Sequence, residues 1–306
     1  MKRVLTAVVL IPLVLAAVLR APDWLFISLV GIVALLATRE YLDLAEKHGL
    51  KPFRSATLLT TALFFLAWIW FVVWSEAQEP EARLERATLI AFLAVVAFPW
   101  VLLLAGMVRR DLSVFWPSSA LSAFALAYIA IPLGCVALLR GADLGWFRVL
   151  LLFIVVWVGD IAAYYVGTYF GRHLLVPAIS PKKTWEGTVA SFVAGVAATF
   201  LLIAIGNRLA AFLALHGLVA HTLTRIENPA FWVPLLLGGG INIAAQLGDL
   251  IESAMKRGAG VKDSGQLLPG HGGVLDRIDA LLFAAPVAVV LFGLIGDKFI
   301  IWIPNF

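Results

Sequence analysis

Three carboxylates near the C-terminal end of this chain are placed to bind a metal ion. Asp249 lies in an apolar segment, and Asp276 and Asp279 lie three residues apart at the start of the next one. Crowded carboxylates repel one another unless a cation neutralises them, and Mg2+ commonly uses one or two carboxylates together with substrate phosphates. We therefore predict that Asp249, Asp276 and Asp279 bind a divalent metal. The alternative is a charged helix end in which Arg277 is the counter-ion.

The segment between these carboxylates has the composition of a phosphate-binding loop. Lys256, Arg257 and Lys262 supply positive charge that would compensate phosphates. Gly272 and Gly273 precede the next apolar segment, so the N-terminus of a helix beginning there would face a phosphate. A Gly/Lys loop is a weak signal by itself, but beside three carboxylates it predicts a metal–phosphate site.

Two further groups in this loop are candidates for orienting a ligand. Asp263 follows Lys262 directly, and His271 precedes the Gly pair. For His271 the residues leave two interpretations open, a donor to phosphate or a structural hydrogen bond.

A second basic motif, Ser180-Pro181-Lys182-Lys183-Thr184, precedes another apolar segment. Ser180 as N-cap and Pro181 as first helical residue predict a helix start. Lys182 and Lys183 are interpreted as a clamp on a phosphate or lipid headgroup. The alternative is a positive anchor on the cytoplasmic face.

The segment that carries Asp249 also has a polar stripe. Asn242, Gln246, Asp249 and Ser253 are spaced 4, 3 and 4, which places them on one helical face. In lipid such a stripe must face protein or a water-filled cavity. Helix–helix hydrogen bonding and function remain equal alternatives for Asn242 and Gln246. Asp160 on an earlier segment is predicted to be buried, lining the same cavity or pairing with a lysine.

Composition predicts the class of protein in which these groups are set. The chain has 306 residues, of which 62% are hydrophobic and 14% charged, whereas a soluble domain carries about 25% charged residues. We therefore predict an all-α polytopic membrane protein, with the lipid bilayer as its environment and no nucleic-acid partner. The single cysteine, Cys135, excludes an internal disulfide.

A membrane-spanning helix needs about 20 apolar residues, and the hydrophobic pattern predicts about nine of them. With the N-terminus in the cytoplasm and the C-terminus outside, roughly two thirds of the Lys and Arg residues fall on the cytoplasmic side, as the positive-inside rule requires. We further predict an N-terminal multi-span region over 1–145 and a catalytic region over 146–306. The predicted spans lie near 4–20, 24–42, 56–74, 87–106, 120–139, 147–170, 187–206, 231–254 and 279–303.

The charged segment as a whole resembles the signature of the phosphatidate cytidylyltransferases, also called CDP-diacylglycerol synthases. The matching residues are Ser253-x-Met255-Lys256-Arg257, Lys262-Asp263 and Pro269-x-His271-Gly272-Gly273-Val274-x-Asp276-Arg277-x-Asp279. The strong part of the resemblance covers about residues 157–280, and the first 150 match only as a hydrophobic multi-span region.

The resemblance implies transfer of CMP from CTP to phosphatidate, which forms CDP-diacylglycerol and pyrophosphate. It also implies Mg2+ with a second metal ion, metal ligation by Asp249, Asp276 and Asp279, and a homodimer. A bacterial inner membrane with a cytoplasmic active site is the expected location. The alternatives are a related CTP-dependent transferase acting on another lipid and, in a different class, an ion or anion transporter, which would show symmetry between its halves.

Overall fold

The protein is nearly all-helical. The computed structural model describes residues 2–74, 80–107, 114–219, 224–226, 229–267, 272–295 and 300–302. Ten α-helices, one π-helical turn and four short strands follow one another in these ranges. In chain order they are α1 (Lys2–Arg20), α2 (Asp23–Lys47), α3 (Arg54–Trp74), α4 (Pro80–Met107), α5 (Phe115–Ala125), the π-helical turn (Leu126–Ala130), α6 (Ile131–Gly141), α7 (Gly145–Phe170), β1 (Leu174–Val176), β2 (Ser180–Thr184), α8 (Trp185–Leu215), β3 (Thr224–Ile226), α9 (Trp232–Gly258), α10 (Leu275–Ile295) and β4 (Ile300–Trp302).

Six helices in the described ranges are long and apolar enough to cross a bilayer, which confirms the predicted helical class. They are Asp23–Lys47, Phe115–Gly141, Gly145–Phe170, Trp185–Leu215, Trp232–Gly258 and Leu275–Ile295. Three shorter apolar helices, Leu10–Arg20, Arg54–Trp70 and Val96–Met107, coincide with three further predicted segments. Length and composition therefore support six candidate spans directly.

The predicted helix start at Ser180 is wrong, because residues 180–184 form a strand. β2 pairs antiparallel with β1, with Leu174 opposite Thr184 and Val176 opposite Ser180. The helix begins at Trp185, and the Thr184 hydroxyl caps it by accepting the Gly187 N–H at 3.2 Å. Both Ser180 and Thr184 are suitable caps, but strand pairing already satisfies part of the backbone between them.

The last helix is also shorter than predicted. α10 ends at Ile295, whereas the hydrophobic pattern continued to residue 303. Residues 300–302 instead pair antiparallel with residues 224–226 as β4 and β3. β-branched and aromatic residues suit a strand as well as an apolar helix, so hydrophobicity alone did not distinguish the two.

By packing, the chain divides into two compact units. Unit 1 comprises Met1–Pro12, Pro22–Leu138 and Met255–Ile278, and unit 2 comprises Leu13–Ala21, Leu139–Ala254 and Asp279–Phe306. These units are defined by packing alone. The functional division at residue 145 stays a prediction.

A buried polar contact joins three helices in unit 2. Asn242 on α9 donates through Nδ2 to Ser191 Oγ on α8 at 3.0 Å, and each residue is only 1% exposed. Gly159 on α7 lies against both side chains, so that an added Cβ would collide with Asn242 Nδ2 and lie 2.8 Å from Ser191 Oγ. Gly159 therefore permits the close approach that buries the hydrogen bond.

Substitution of Gly159 by Ala tests this packing. We expect the free energy of unfolding to fall by about 1–3 kcal/mol, because an overpacked core must shift its neighbours. The matched control is Gly293→Ala on α10, where an added Cβ meets nothing within 4 Å. Because Ala has a higher helix propensity than Gly, the free energy of unfolding of that variant should be unchanged or rise by up to about 1 kcal/mol. Denaturant titration in detergent measures both, and equal stabilities would contradict the packing argument.

Candidate functional site

Asp276 is the centre of a buried cluster in unit 1, which we call the Asp276 cluster (Glu40, Lys256, Ser264, Gly273 and Asp276). Lys256 Nζ lies 2.6 Å from Asp276 Oδ1, and the two side chains are 11% and 5% exposed. Asp276 Oδ2 accepts from the Ser264 N–H at 2.9 Å and the Gly273 N–H at 2.8 Å, and the Ser264 hydroxyl, which has a single hydrogen, lies 3.0 Å from it. The Lys256 ammonium and the two N–H groups therefore satisfy one buried carboxylate, as a buried charge requires.

Local sequence explains how the loop reaches this carboxylate. α9 ends at Gly258, and Gly260 and Gly272 have φ angles of +68° and +81°. Side chains other than that of Gly rarely adopt these angles. An added Cβ at Gly272 would also lie 2.7 Å from Asp276 Oδ2. The chain therefore turns at two glycines and returns to the start of α10.

Glu40 on α2 also belongs to this cluster, and the sequence reasoning missed it. Its Oε1 accepts from the Val274 N–H at 3.0 Å, and its Oε2 accepts from the Leu275 N–H and the Ser264 hydroxyl, both at 2.9 Å. Glu40 is only 6% exposed. In the sequence Glu40 is a carboxylate near the end of an apolar segment. Asp43 and Glu46 nearby have the same feature, so the sequence did not distinguish Glu40 from them.

Asp249 lies in a second cluster, in unit 2, with Lys183 and Ser253. Lys183 Nζ lies 2.6 Å from Asp249 Oδ2, and the side chains are 28% and 34% exposed. The Ser253 hydroxyl donates to Asp249 Oδ1 at 3.3 Å. The structure therefore brings together two residues that the sequence placed in separate motifs.

The backbone of Asp279 on α10 lies close to α9 at Gly248. An added Cβ at Gly248 would lie 2.5 Å from the Asp279 carbonyl oxygen and 3.3 Å from Ala280 Cα. Gly248 therefore lets α10 pack directly against α9 beside Asp249. The Asp279 carboxylate accepts from the Ala280 N–H at 2.8 Å.

The rest of the polar stripe joins helices. Gln246 Nε2 donates to Asn242 Oδ1 at 2.6 Å and to the Thr188 carbonyl at 3.3 Å, and Asn242 donates to Ser191. Of the two interpretations of Asn242 and Gln246, the observed contacts are those of interhelical hydrogen bonding.

The remaining predicted residues are more accessible. Arg257 Nη1 donates to the Val261 carbonyl at 3.3 Å. Asp160 on α7 is exposed, so the expectation that it is buried was wrong. His271 lies outside the described residues. Lys182, Arg257, Lys262 and Asp263 are exposed.

The donor set suits a hard divalent cation, although it is not assembled as a cage. Within the described residues, no three His, Cys, Asp or Glu side chains are close enough to hold a metal ion. Mg2+ does not require such a cage, because it commonly takes one or two carboxylates and completes its shell with water and substrate phosphates. Asp249 and Asp279 are carboxylates on α9 and α10, whose backbones approach closely at Gly248, and each is of the type that Mg2+ would take. The Lys183 and Lys256 ammonium groups each already hold a carboxylate that was predicted to bind metal.

Known proteins are similar in sequence to this chain over nearly its whole length. A model of the cytidylyltransferase family matches residues 1–295. A Mycobacterium bovis protein named phosphatidate cytidylyltransferase is 32% identical in an alignment of 293 positions that covers 93% of this chain and 86% of the relative. Proteins of the same name from Haemophilus influenzae and Thermotoga maritima are 31% and 33% identical. They match over 93% and 95% of this chain and 96% and 95% of their own lengths.

Substitution of Lys256 by Met tests the charge balance of the Asp276 cluster. We expect the free energy of unfolding to fall by about 3 kcal/mol, because removing one partner leaves the other charge buried without its counter-ion. Arg257→Met is the matched control, since this neighbouring cation is exposed. Denaturant titration of both variants measures the difference, and equal losses would contradict the assignment of Lys256 as the buried counter-ion.

Proposed function

The chain belongs to the cytidylyltransferase family, and on that premise we propose that it transfers CMP from CTP to phosphatidate. The products are CDP-diacylglycerol and pyrophosphate, as required for phospholipid biosynthesis. The observation that carries this proposal is the match to phosphatidate cytidylyltransferases over 93% of the chain, including the charged segment from Ser253 to Asp279.

The reaction needs no nucleophilic side chain. A phosphate oxygen of phosphatidate attacks the α-phosphorus of CTP, the bond from that phosphorus to the bridging oxygen breaks, and pyrophosphate leaves with the electron pair. Two anions must approach each other, so positive charge placed around the reacting phosphates lowers the barrier. A cluster of lysines and metal-binding carboxylates is the arrangement that this chemistry requires.

We assign Asp249, Asp276 and Asp279 to metal binding. Asp276 and Asp279 lie one turn apart on α10, and Gly248 packs beside Asp279 on the neighbouring helix. Bound Mg2+, with a second metal ion as the family resemblance implies, would supply charge stabilisation at the attacking and leaving oxygens.

The basic residues are assigned to phosphates. Lys183 and Lys256 lie 2.6 Å from carboxylates, so a cation that replaces either lysine as counter-ion would free its ammonium group for a phosphate. Lys182, Arg257 and Lys262 are exposed and accessible to CTP. Asp263 and His271 are proposed to orient these groups, and the Gly272–Gly273 backbone to contact a phosphate. The Gly273 N–H donates to Asp276, so that contact requires the loop to rearrange.

The proposed location is the bacterial inner membrane, with the active site on its cytoplasmic side. Phosphatidate is confined to the bilayer and CTP is dissolved in the cytosol, so the reaction must occur at that interface. The cytoplasmic bias of Lys and Arg supports a cytoplasmic N-terminus. The six candidate spans and three shorter apolar helices support nine crossings and an outer C-terminus. Residues 146–306 are proposed as the catalytic region of a homodimer.

Product formation tests the reaction directly. Purified protein in detergent, given phosphatidate, labelled CTP and Mg2+, should form labelled CDP-lipid and pyrophosphate in equal amounts. EDTA should stop the formation of both products. Without a metal ion the carboxylates add negative charge and do not offset the charge of the approaching phosphates. CTP binding without CDP-lipid would indicate a different acceptor, which a panel of lipids would identify. Absence of both product and CTP binding would contradict the proposed function.

Individual carboxylates can then be tested by Asp→Asn substitution at 249, 276 and 279. Each change keeps the side-chain shape but removes the charge that holds a cation, so we expect turnover to be abolished while the protein still inserts into the membrane. Asp143→Asn is the control, since Asp143 is exposed in the turn before α7. Turnover like that of the unsubstituted protein in any of the three would contradict its assignment to metal.

A further inference from the structure

Glu40 is a buried charged residue that the proposed mechanism leaves without a role. It lies on α2, more than 220 residues away in sequence from the groups that it contacts, and it is 6% exposed. A buried carboxylate is costly unless it is fully hydrogen-bonded. The hydrogen bonds that compensate its burial should therefore come from the loop that precedes α10.

Three donors converge on the two oxygens of Glu40. They are the N–H groups of Val274 and Leu275 and the hydroxyl of Ser264, at 2.9–3.0 Å. Leu275 is the first residue of α10 and Val274 directly precedes it. At a helix start the backbone donors have no partner within the helix, and the helix dipole favours a negative charge. Glu40 thus caps α10 from a different helix.

Ser264 links Glu40 to Asp276. Its hydroxyl lies 2.9 Å from Glu40 Oε2 and 3.0 Å from Asp276 Oδ2, and it is 2% exposed. Its N–H also donates to Asp276. The Glu40 carboxylate is therefore one hydrogen-bonded residue away from a carboxylate that we assign to metal binding.

Two glycines of the loop make room for this carboxylate. An added Cβ at Gly273 would lie 2.7 Å from Glu40 Cδ, and one at Gly265 would lie at the same distance from that atom. The Glu40 side chain is thus enclosed by backbone on both sides. Position 273 therefore requires Gly to leave room for Glu40, in addition to any requirement that a bound phosphate would impose.

We infer that Glu40 is a positioning residue for the transferase reaction, which fixes the start of α10 and, through Ser264, the orientation of the Asp276 carboxylate. A carboxylate is needed because three donors meet two acceptor oxygens. Glutamine would set its NH2 against the Val274 or the Leu275 N–H, and aspartate is one methylene too short. This inference rests on the proposed function, and it adds to the catalytic region a residue from the N-terminal half.

The test compares Glu40→Gln with Glu46→Gln, the same change on the same helix at an exposed residue that pairs with Arg54. We expect Glu40→Gln to lower kcat about 10–100-fold, as is typical for groups that orient a metal ligand. Its unfolding temperature should fall, because a buried donor then faces another donor, while the protein stays folded at the temperature of the assay. Hydrogen exchange at the amides of 273–275 should become faster. Glu46→Gln should change none of these quantities.

Ser264→Ala and the double variant Glu40→Gln/Ser264→Ala test the route of the effect. If Glu40 acts through Ser264, the loss of kcat in the double variant is smaller than the product of the two single losses. Should Glu40→Gln fail to fold, Ser264→Ala decides alone. A stable protein with reduced kcat supports the inference, and unchanged kcat overturns it.

Three results would overturn the inference. They are unchanged kcat in folded Glu40→Gln, unchanged exchange at 273–275, and a loss of activity that matches the unfolded fraction, which would indicate a structural role only. Failure of the proposed function looks different. In that case the unsubstituted protein and Glu46→Gln would also form no CDP-lipid, while hydrogen exchange would still report whether Glu40 holds the start of α10.

Discussion

The ion pair between Lys256 and Asp276 lies where an unbalanced charge would be costly, because the two side chains are only 11% and 5% exposed. Desolvating such a pair costs free energy that Coulomb attraction repays only when the remaining hydrogen-bonding capacity is also satisfied. The loop after α9 provides that satisfaction through Ser264 and Gly273. The turn at Gly272 lies directly against this carboxylate, since an added Cβ there would be 2.7 Å from Asp276 Oδ2.

In the proposed mechanism the same pairing would serve phosphate chemistry. Carboxylates that are to bind a cation must be stable before it arrives, and lysine would be a suitable temporary counter-ion because its single charge can be displaced by a divalent one. Lys183 with Asp249 repeats this arrangement in unit 2, where both side chains are partly exposed. The exposed pair is the more readily exchanged of the two, since solvent stabilises both separated charges.

The hydrophobic surroundings determine how strong these electrostatic interactions are. Charged groups are rare in this chain, and electrostatic contacts strengthen as water is excluded. Interhelical hydrogen bonds such as that between Asn242 and Ser191 position α8 relative to α9. Lys183, on β2 just before α8, thereby reaches Asp249 on α9. Packing at Gly159 and Gly248 provides the close helix approach that this arrangement needs.

The sequence by itself determined the helical membrane class, the general positions of the helices, the family and the residues Asp249, Asp276 and Asp279 as candidates. The helical class and the helix positions follow from hydrophobic run length, and the candidate residues follow from charges that an apolar chain would not otherwise keep. The family follows from the resemblance of the segment from Ser253 to Asp279 to its signature. Which lysine pairs with which carboxylate was decided only by the tertiary structure, because such pairs join segments that are far apart in sequence. The role of Glu40 was hidden for the same reason: its neighbours Asp43 and Glu46 share its chemistry, and only burial against the start of α10 distinguishes it. The strand at Ser180–Thr184 likewise depended on a pairing partner, since local signals favoured a helix start and the hydrogen bonds to β1 outweighed them.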